Sequence, residues 1–177
     1  MGDLYTPEDW PMEDIYLWRR TLKSEHPPHP ELFMMLRPPG PPESTTTVRL
    51  SYNNIASCLQ ATVDALPFSE KTRSLIHMPF SYSFGLSILH MTLSTGGRAV
   101  FSERAIKDRK LWDLAREREV DLFAGVSFHF DYLARAGINN LHVPLMKHFL
   151  QAGGRMPKER TQEILRQMNE RDGELYI

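Results

Sequence analysis

Val120-Asp121-Leu122-Phe123-Ala124-Gly125-Val126 is the stretch on which the fold turns. After Asp121 it is apolar at every position rather than at alternate ones, as suits a strand buried on both faces. Outward from it, helix and strand patterns alternate. Residues 127–136 read as the following helix. Residues 107–119 read as a charged surface helix before it, with Ile106, Leu111, Leu114 and Ala115 on its apolar side and Asp113 placed to pair with Arg116. Further upstream, 98–101 reads as a strand and 84–94 as a helix with Leu86, Leu89 and Leu93 inward, stopped by Gly96-Gly97. Residues 74–78 read as a short strand. Downstream come a strand at 147–152, a helix at 157–171 with Pro157 in its first turn, and a last strand at 174–177. Such alternation specifies an α/β fold, a parallel sheet with covering helices. The sequence closes in a strand that no helix follows. The sheet is therefore expected to be unfinished, with an apolar edge around Leu175, Tyr176 and Ile177 suited to self-association.

Before this region, Ser51 or Asn53 can cap a helix whose apolar face is Ile55, Leu59, Val63 and Leu66. Cys58 falls near its buried side. Seven of the thirteen prolines lie between Pro27 and Pro42, and proline removes a backbone donor, so that stretch is neither helix nor central strand. Residues 1–30 read as an acidic leading segment ending in prolines, with one short helix at 13–23 carrying Ile15, Trp18 and Leu22.

Composition removes several classes. The 177 residues are 41% apolar and 24% charged with net charge −1, which is globular and offers no electrostatic reason to expect nucleic acid or an anionic membrane as partner. No apolar run is long enough to span a bilayer, and the first residues lack the basic-then-apolar order of a signal peptide. Cys58 is the only cysteine, which excludes an internal disulfide and favours a cytoplasmic location. His26 and His29 flank prolines without a second ligand pair, so no metal site is expected.

Four segments in fixed order then bring a family into view: Val48-Arg49-Leu50-Ser51-Tyr52, Met78-Pro79-Phe80-Ser81-Tyr82-Ser83-Phe84-Gly85-Leu86, Phe123-Ala124-Gly125-Val126, and Gln151-Ala152-Gly153-Gly154-Arg155-Met156-Pro157. Together they resemble the adenylate-forming (AMP-binding) superfamily, and most of all bacterial AMP-dependent acyl-CoA synthetases. The resemblance covers roughly residues 29–177 and implies part of the large N-terminal domain of such an enzyme, with residues 31–177 as a partial adenylation domain truncated at the last strand. The implied reaction is carboxylate plus ATP to acyl-AMP and pyrophosphate, then transfer to a thiol. The implied ligands are a small carboxylate, ATP with Mg²⁺, and CoA, although no tightly bound cofactor is expected in this chain.

By that resemblance Gly153, Gly154 and Arg155 belong to the segment on which the adenine lies. Glycine lets a flat base approach the chain, although a tight strand-to-helix turn needs glycine equally. Tyr82 stands where many relatives carry a histidine beside the reacting carboxylate, and with Ser83 it would sit at a strand's carboxyl end. Phe80 and Phe84 also read as core aromatics. Gly125, Val126 and His129 match the acyl-pocket wall, and His129 has no carboxylate partner that the sequence identifies.

The family's phosphate loop, Thr-Ser-Gly-Ser-Thr-Gly-x-Pro-Lys, cradles phosphates with backbone N–H groups and hydroxyls. In its place stands Pro38-Pro39-Gly40-Pro41-Pro42-Glu43-Ser44-Thr45-Thr46-Thr47. Only Gly40 matches. The prolines supply no N–H, Glu43 puts negative charge where a phosphate belongs, and Thr46 occupies the lysine position. No Tyr-Gly-x-Thr-Glu motif, which places adenine and Mg²⁺ in the family, occurs in the sequence. The chain is therefore expected to be inactive alone, with no catalytic residues of its own, or a non-catalytic remnant binding a nucleotide, an acyl group or a protein partner. A functioning enzyme with an unusual proline loop is the third reading. The loop also has a genetic reading. The family's Ser-Thr-Ser-Gly-Ser-Thr-Gly, encoded tcg acc tcc ggg tcc acc gga and read one base late, gives Arg-Pro-Pro-Gly-Pro-Pro and then Glu if a purine follows. That is Arg37 to Glu43 as it stands here.

Overall fold

A computed structural model describes residues 5–8, 17–20, 28–37 and 46–177. The chain divides into two units, Met1–Leu32 and Phe33–Ile177. In the first, β1 (Tyr5–Glu8) pairs antiparallel with β2 (Leu17–Arg20), Pro7 opposite Trp18. The helix expected over 13–23 is thus corrected: residues 17–20 are extended, and strand pairing overrides the helical spacing of Ile15, Trp18 and Leu22.

In the second unit, β3 (Leu32–Leu36) pairs with β4 (Val48–Ser51) in a small separate sheet. Helix α1 (Tyr52–Ala65) follows directly. Ser51 is its N-cap: its hydroxyl accepts from the Asn54 N–H at 3.1 Å, while the Asn54 side chain accepts from the Ser51 N–H at 3.0 Å. This reciprocal box satisfies two donors that a helix start leaves free. No residue of α1 is fully buried, and Leu59 and Val63 pack only partly on the core. Cys58 is exposed rather than on the packed side, one turn-position away from Leu59.

The main sheet contains β5 (Arg73–Ile76), β6 (Arg98–Phe101), β7 (Leu122–Gly125), β8 (His148–Gln151) and β9 (Glu174–Tyr176). They are parallel, in the order β6-β5-β7-β8-β9. Helices α2 (Ser83–Ser94), α3 (Arg109–Glu117), α4 (Ser127–Ala136) and α5 (Lys158–Asn169) make the crossovers. Side chains alternate along each strand and so supply two cores. Leu75, Phe123 and Phe149 meet Leu111, Trp112, Phe130, Leu133, Ile164 and Met168 of α3, α4 and α5. Ile76, Leu122, Ala124 and Leu150 meet Ile88 and Met91 of α2, with α1 beyond. All four residues of β7 are buried, as its unbroken apolar run requires.

Asp121 stitches the amino ends of three strands. Its carboxylate accepts from the Arg73 N–H at 2.7 Å, and its carbonyl accepts from the Lys147 and His148 N–H groups at 2.9 Å each. Burial pushes its carboxyl pKa up.

Two helix faces differ from expectation. In α2 the buried set is Gly85, Ile88, Met91 and Thr92, while Leu93 is 58% exposed and Leu89 only half-buried. The cause is Gly85: a Cβ there would lie 3.0 Å from both the Met78 Cβ and the Pro79 carbonyl, so the bare glycine face seats the helix and turns Leu93 outward. In α3, Trp112 is buried and donates to the Ile106 carbonyl at 2.8 Å, while Leu114 is half-buried. Asp113 pairs with Arg116 at 2.8 Å as expected. At the last strand, Leu175 and Tyr176 pack partly on the two cores, and Ile177 is 73% exposed. No helix among the described residues is long and apolar enough to cross a membrane.

Candidate functional site

From β5 the chain steps to β6 on one side, then returns across β5 to β7 on the other. That reversal is a topological switch point, and in an open α/β sheet the carboxyl ends of the strands at such a point are the usual ligand position. Three loops meet there.

The loop after β5 carries Tyr82, the N-cap position of α2, whose N–H donates to the Pro79 carbonyl at 3.0 Å and whose ring packs partly on the core. Ser83 begins the helix, is exposed, and its carbonyl accepts from the Ser87 hydroxyl at 2.9 Å. The loop after β8 carries Gly153 and Gly154, with φ of 74° and 127°, backbone that favours glycine. A Cβ on Gly153 would overlap the Tyr82 hydroxyl and approach the Val126 methyl to 3.2 Å. The Gly154 carbonyl accepts from the Ser127 hydroxyl at 3.0 Å and from Gln151 Nε2 at 2.9 Å, and Gln151 is buried. Arg155 is exposed beside them.

The loop after β7 carries Gly125, Val126 and His129. A Cβ on Gly125 would come within 2.9 Å of the His129 Cβ and Nδ1, so only glycine lets α4 fold back this sharply. His129 Nδ1 accepts from the Val126 N–H at 3.1 Å, which leaves Nε2 to carry the proton of the neutral ring. Burial lowers its pKa.

The structure therefore gathers Tyr82, Gly125, Val126, His129, Gly153 and Gly154 at one end of the sheet. Phe84 packs partly on the core, whereas Phe80 is exposed and meets Phe101 edge-on at 5.9 Å. Thr46 is exposed just before β4, and Pro38, Pro39, Gly40, Pro41, Pro42 and Glu43 lie outside the described residues.

One neighbour has no signal in the sequence pattern. His77, directly after β5, stacks on Phe123 with ring centroids 5.0 Å apart and meets His129 edge-on at 4.8 Å. Neither ring nitrogen has a well-formed hydrogen-bond partner among the described residues, and the Leu75 backbone offers only a weak one. Burial first, and the facing His129 second, push its pKa down to about 4. Two neutral imidazoles thus stand beside these loops. No group of three or more His, Cys, Asp or Glu among the described residues could hold a metal ion.

A parallel sheet with helices in the crossovers and loops gathered at a switch point defines an open α/β protein. The profile of AMP-binding enzymes matches residues 47–176, and the chain belongs to that family. The fold is part of that of the N-terminal domains of adenylate-forming enzymes. The inhibitor-bound N-terminal domain of FACL13 from Mycobacterium tuberculosis superposes with TM-score 0.62 at 16% identity, covering 73% of this chain and 31% of that one. VinN in complex with 3-methylaspartate gives 0.66 at 14%, covering 82% and 36%. The o-succinylbenzoate CoA synthetase MenE from Bacillus subtilis, in complex with ATP and magnesium ion, gives 0.58 at 19%, covering 73% and 26%. The chain spans about a third or less of the length of these structures. No curated protein sequence matches it.

Proposed function

We propose that this chain retains the adenine and acyl side of an adenylation site but does not form acyl-AMP by itself. The observation that carries this reading is the close meeting of three loops at the carboxyl ends of the strands, set against a proline sequence in the phosphate-loop position. Tyr82, Val126 and Gly153 close on one another at the carboxyl ends of β5, β7 and β8. Yet the segment in the phosphate-loop position is Pro38-Pro39-Gly40-Pro41-Pro42-Glu43. An adenine needs a flat apolar surface and close backbone, which Gly153 and Gly154 supply. A triphosphate needs N–H donors and positive charge. Four prolines remove donors, and Glu43 adds repulsion.

Loss of one positioned donor commonly costs ~10²–10³ in rate, and this loop lacks several. Carboxylate-dependent ATP–pyrophosphate exchange with a panel of acids tests the reading. The expected result is no exchange above a no-protein control, together with saturable binding of AMP or adenosine that weakens in Gly153→Val. Clear exchange sinks the inactivity, and absence of nucleoside binding sinks the retained adenine side.

A further inference from the structure

We propose that the outer edge of β6 is a docking site for an extended acidic peptide, which adds to the sheet as a further strand. The inference is independent of the adenylation reading, because none of the residues it uses is assigned to that site and it concerns the border of the sheet at β6.

Among the described residues, strand β6 has one neighbour, β5. The Arg98 N–H donates to the Thr72 carbonyl at 2.8 Å, and the Ser102 N–H to the Ile76 carbonyl at 3.0 Å. Positions 98, 100 and 102 thus face β5, and the alternation of a parallel ladder turns the N–H and C=O of Ala99 and Phe101 outward. All four residues of β6 line one open cavity of about 420 Å³, completed by Leu114 and Arg118 of the α3 end and by Arg73. Among the described residues no strand pairs with that edge, and the cavity reaches all four residues of β6.

The charge of that groove selects the occupant. Its lining contains Arg73, Arg98 and Arg118 and no carboxylate. Arg73 is paired with Glu119. Arg98 and Arg118 are exposed and have no ion-pair partner among the described residues. Natural edge strands carry a charge to repel wrong partners. Here the guanidiniums cluster at the amino end of β6, while its carboxyl end presents Phe101, 56% exposed, against Phe80. A strand with carboxylates toward Arg98 and Arg118 and an apolar residue toward Phe101 answers each feature. The backbone ladder supplies affinity, and bidentate arginine–carboxylate pairs supply register.

The test is fluorescence polarisation on the 177-residue chain with a labelled short peptide of alternating valine and glutamate. Controls are the valine–lysine counterpart and a version N-methylated on one backbone edge. Expected results are saturable binding that salt weakens, none for the lysine peptide, and loss on N-methylation. Arg98→Glu with Arg118→Glu is expected to weaken binding at least about tenfold. Ala99→Pro, which removes one outward N–H and leaves the β5 ladder intact, is expected to do the same while thermal melting confirms folding. The proposal is overturned by no binding, by equal binding of the N-methylated peptide, or by a concentration-dependent oligomer that Ala99→Pro abolishes and the peptide does not displace. In that last case the occupant is a second copy of this chain.

Discussion

At the residue scale, His77 holds the largest unanswered demand. A buried imidazole whose nitrogens lack well-formed partners among the described residues is tolerated best while neutral. Its folded pKa of about 4 lies below the ordinary 6.5, so the unfolded chain binds the proton more readily. Stability is therefore expected to be level above pH 6.5, to fall as pH drops toward 4, and to level again below. The loss attributable to His77 is up to roughly 3 kcal/mol. His77→Phe keeps the stack on Phe123 and removes both the titration and the poorly partnered nitrogens. Its melting temperature should equal or exceed that of the parent at neutral pH and show a flatter acid limb; an unchanged acid limb refutes the assignment. Gly153 makes a second residue-scale case. Gly153→Ala should cost about 1–3 kcal/mol, from positive φ and the Tyr82 hydroxyl together. In a Tyr82→Phe background the steric part is relieved, so denaturant titrations of the cycle should show coupling of about 1 kcal/mol. Strict additivity would mean that the two loops do not touch as described. Neither feature was equally legible beforehand: Gly153 and Tyr82 stand in recognisable segments, whereas a lone histidine between Ile76 and Met78 has no periodicity to mark it.

At the element scale, what the sequence made readable was whatever local chemistry decides. The apolar run at β7, the glycine stop after α2 and the span of α4 follow from periodicity and breakers, and the elements fall where those signals put them. What it hid depends on partners distant in sequence. The strand at 17–20 needs its mate at 5–8 before extension beats a helical pattern. The inward face of α2 is set by the close seat of Gly85 on Met78 and Pro79, not by the leucine spacing. Helix α1 tests the local side of this division, since it buries no residue and leans on its cap. Ser51→Ala should cost about 1 kcal/mol and appear first as faster amide exchange in the opening turn. Uniform acceleration across the main sheet would show instead that the cap supports the whole unit.

At the scale of the whole molecule, the proposed contrast between a retained adenine side and a proline sequence in the phosphate-loop position asks for a cause. Point substitutions would need several independent changes to turn a Gly/Ser/Thr-rich loop into four prolines around one glycine. A one-base shift and its reversal before Val48 do it in two steps, because the shifted frame of GC-rich serine and threonine codons is dominated by ccn triplets. The shifted reading of tcg acc tcc ggg tcc acc gga yields Arg-Pro-Pro-Gly-Pro-Pro and then Glu, and places the glycine at Gly40. The profile match beginning at residue 47 fits a frame restored just before Val48. We propose, accordingly, that the locus across Met35 to Val48 contains an alternate frame encoding a phosphate loop. Resequencing is expected to find it, and DNA without such a frame makes the proline loop a product of selection. The protein offers the matching experiment. Replacing residues 38–46 with the family's Thr-Ser-Gly-Ser-Thr-Gly-x-Pro-Lys supplies N–H donors and a lysine to the loop. ATP affinity should then rise at least about tenfold relative to the parent, with AMP affinity little changed. If both nucleotides stay equally weak, the loop is not what separates this chain from phosphate binding.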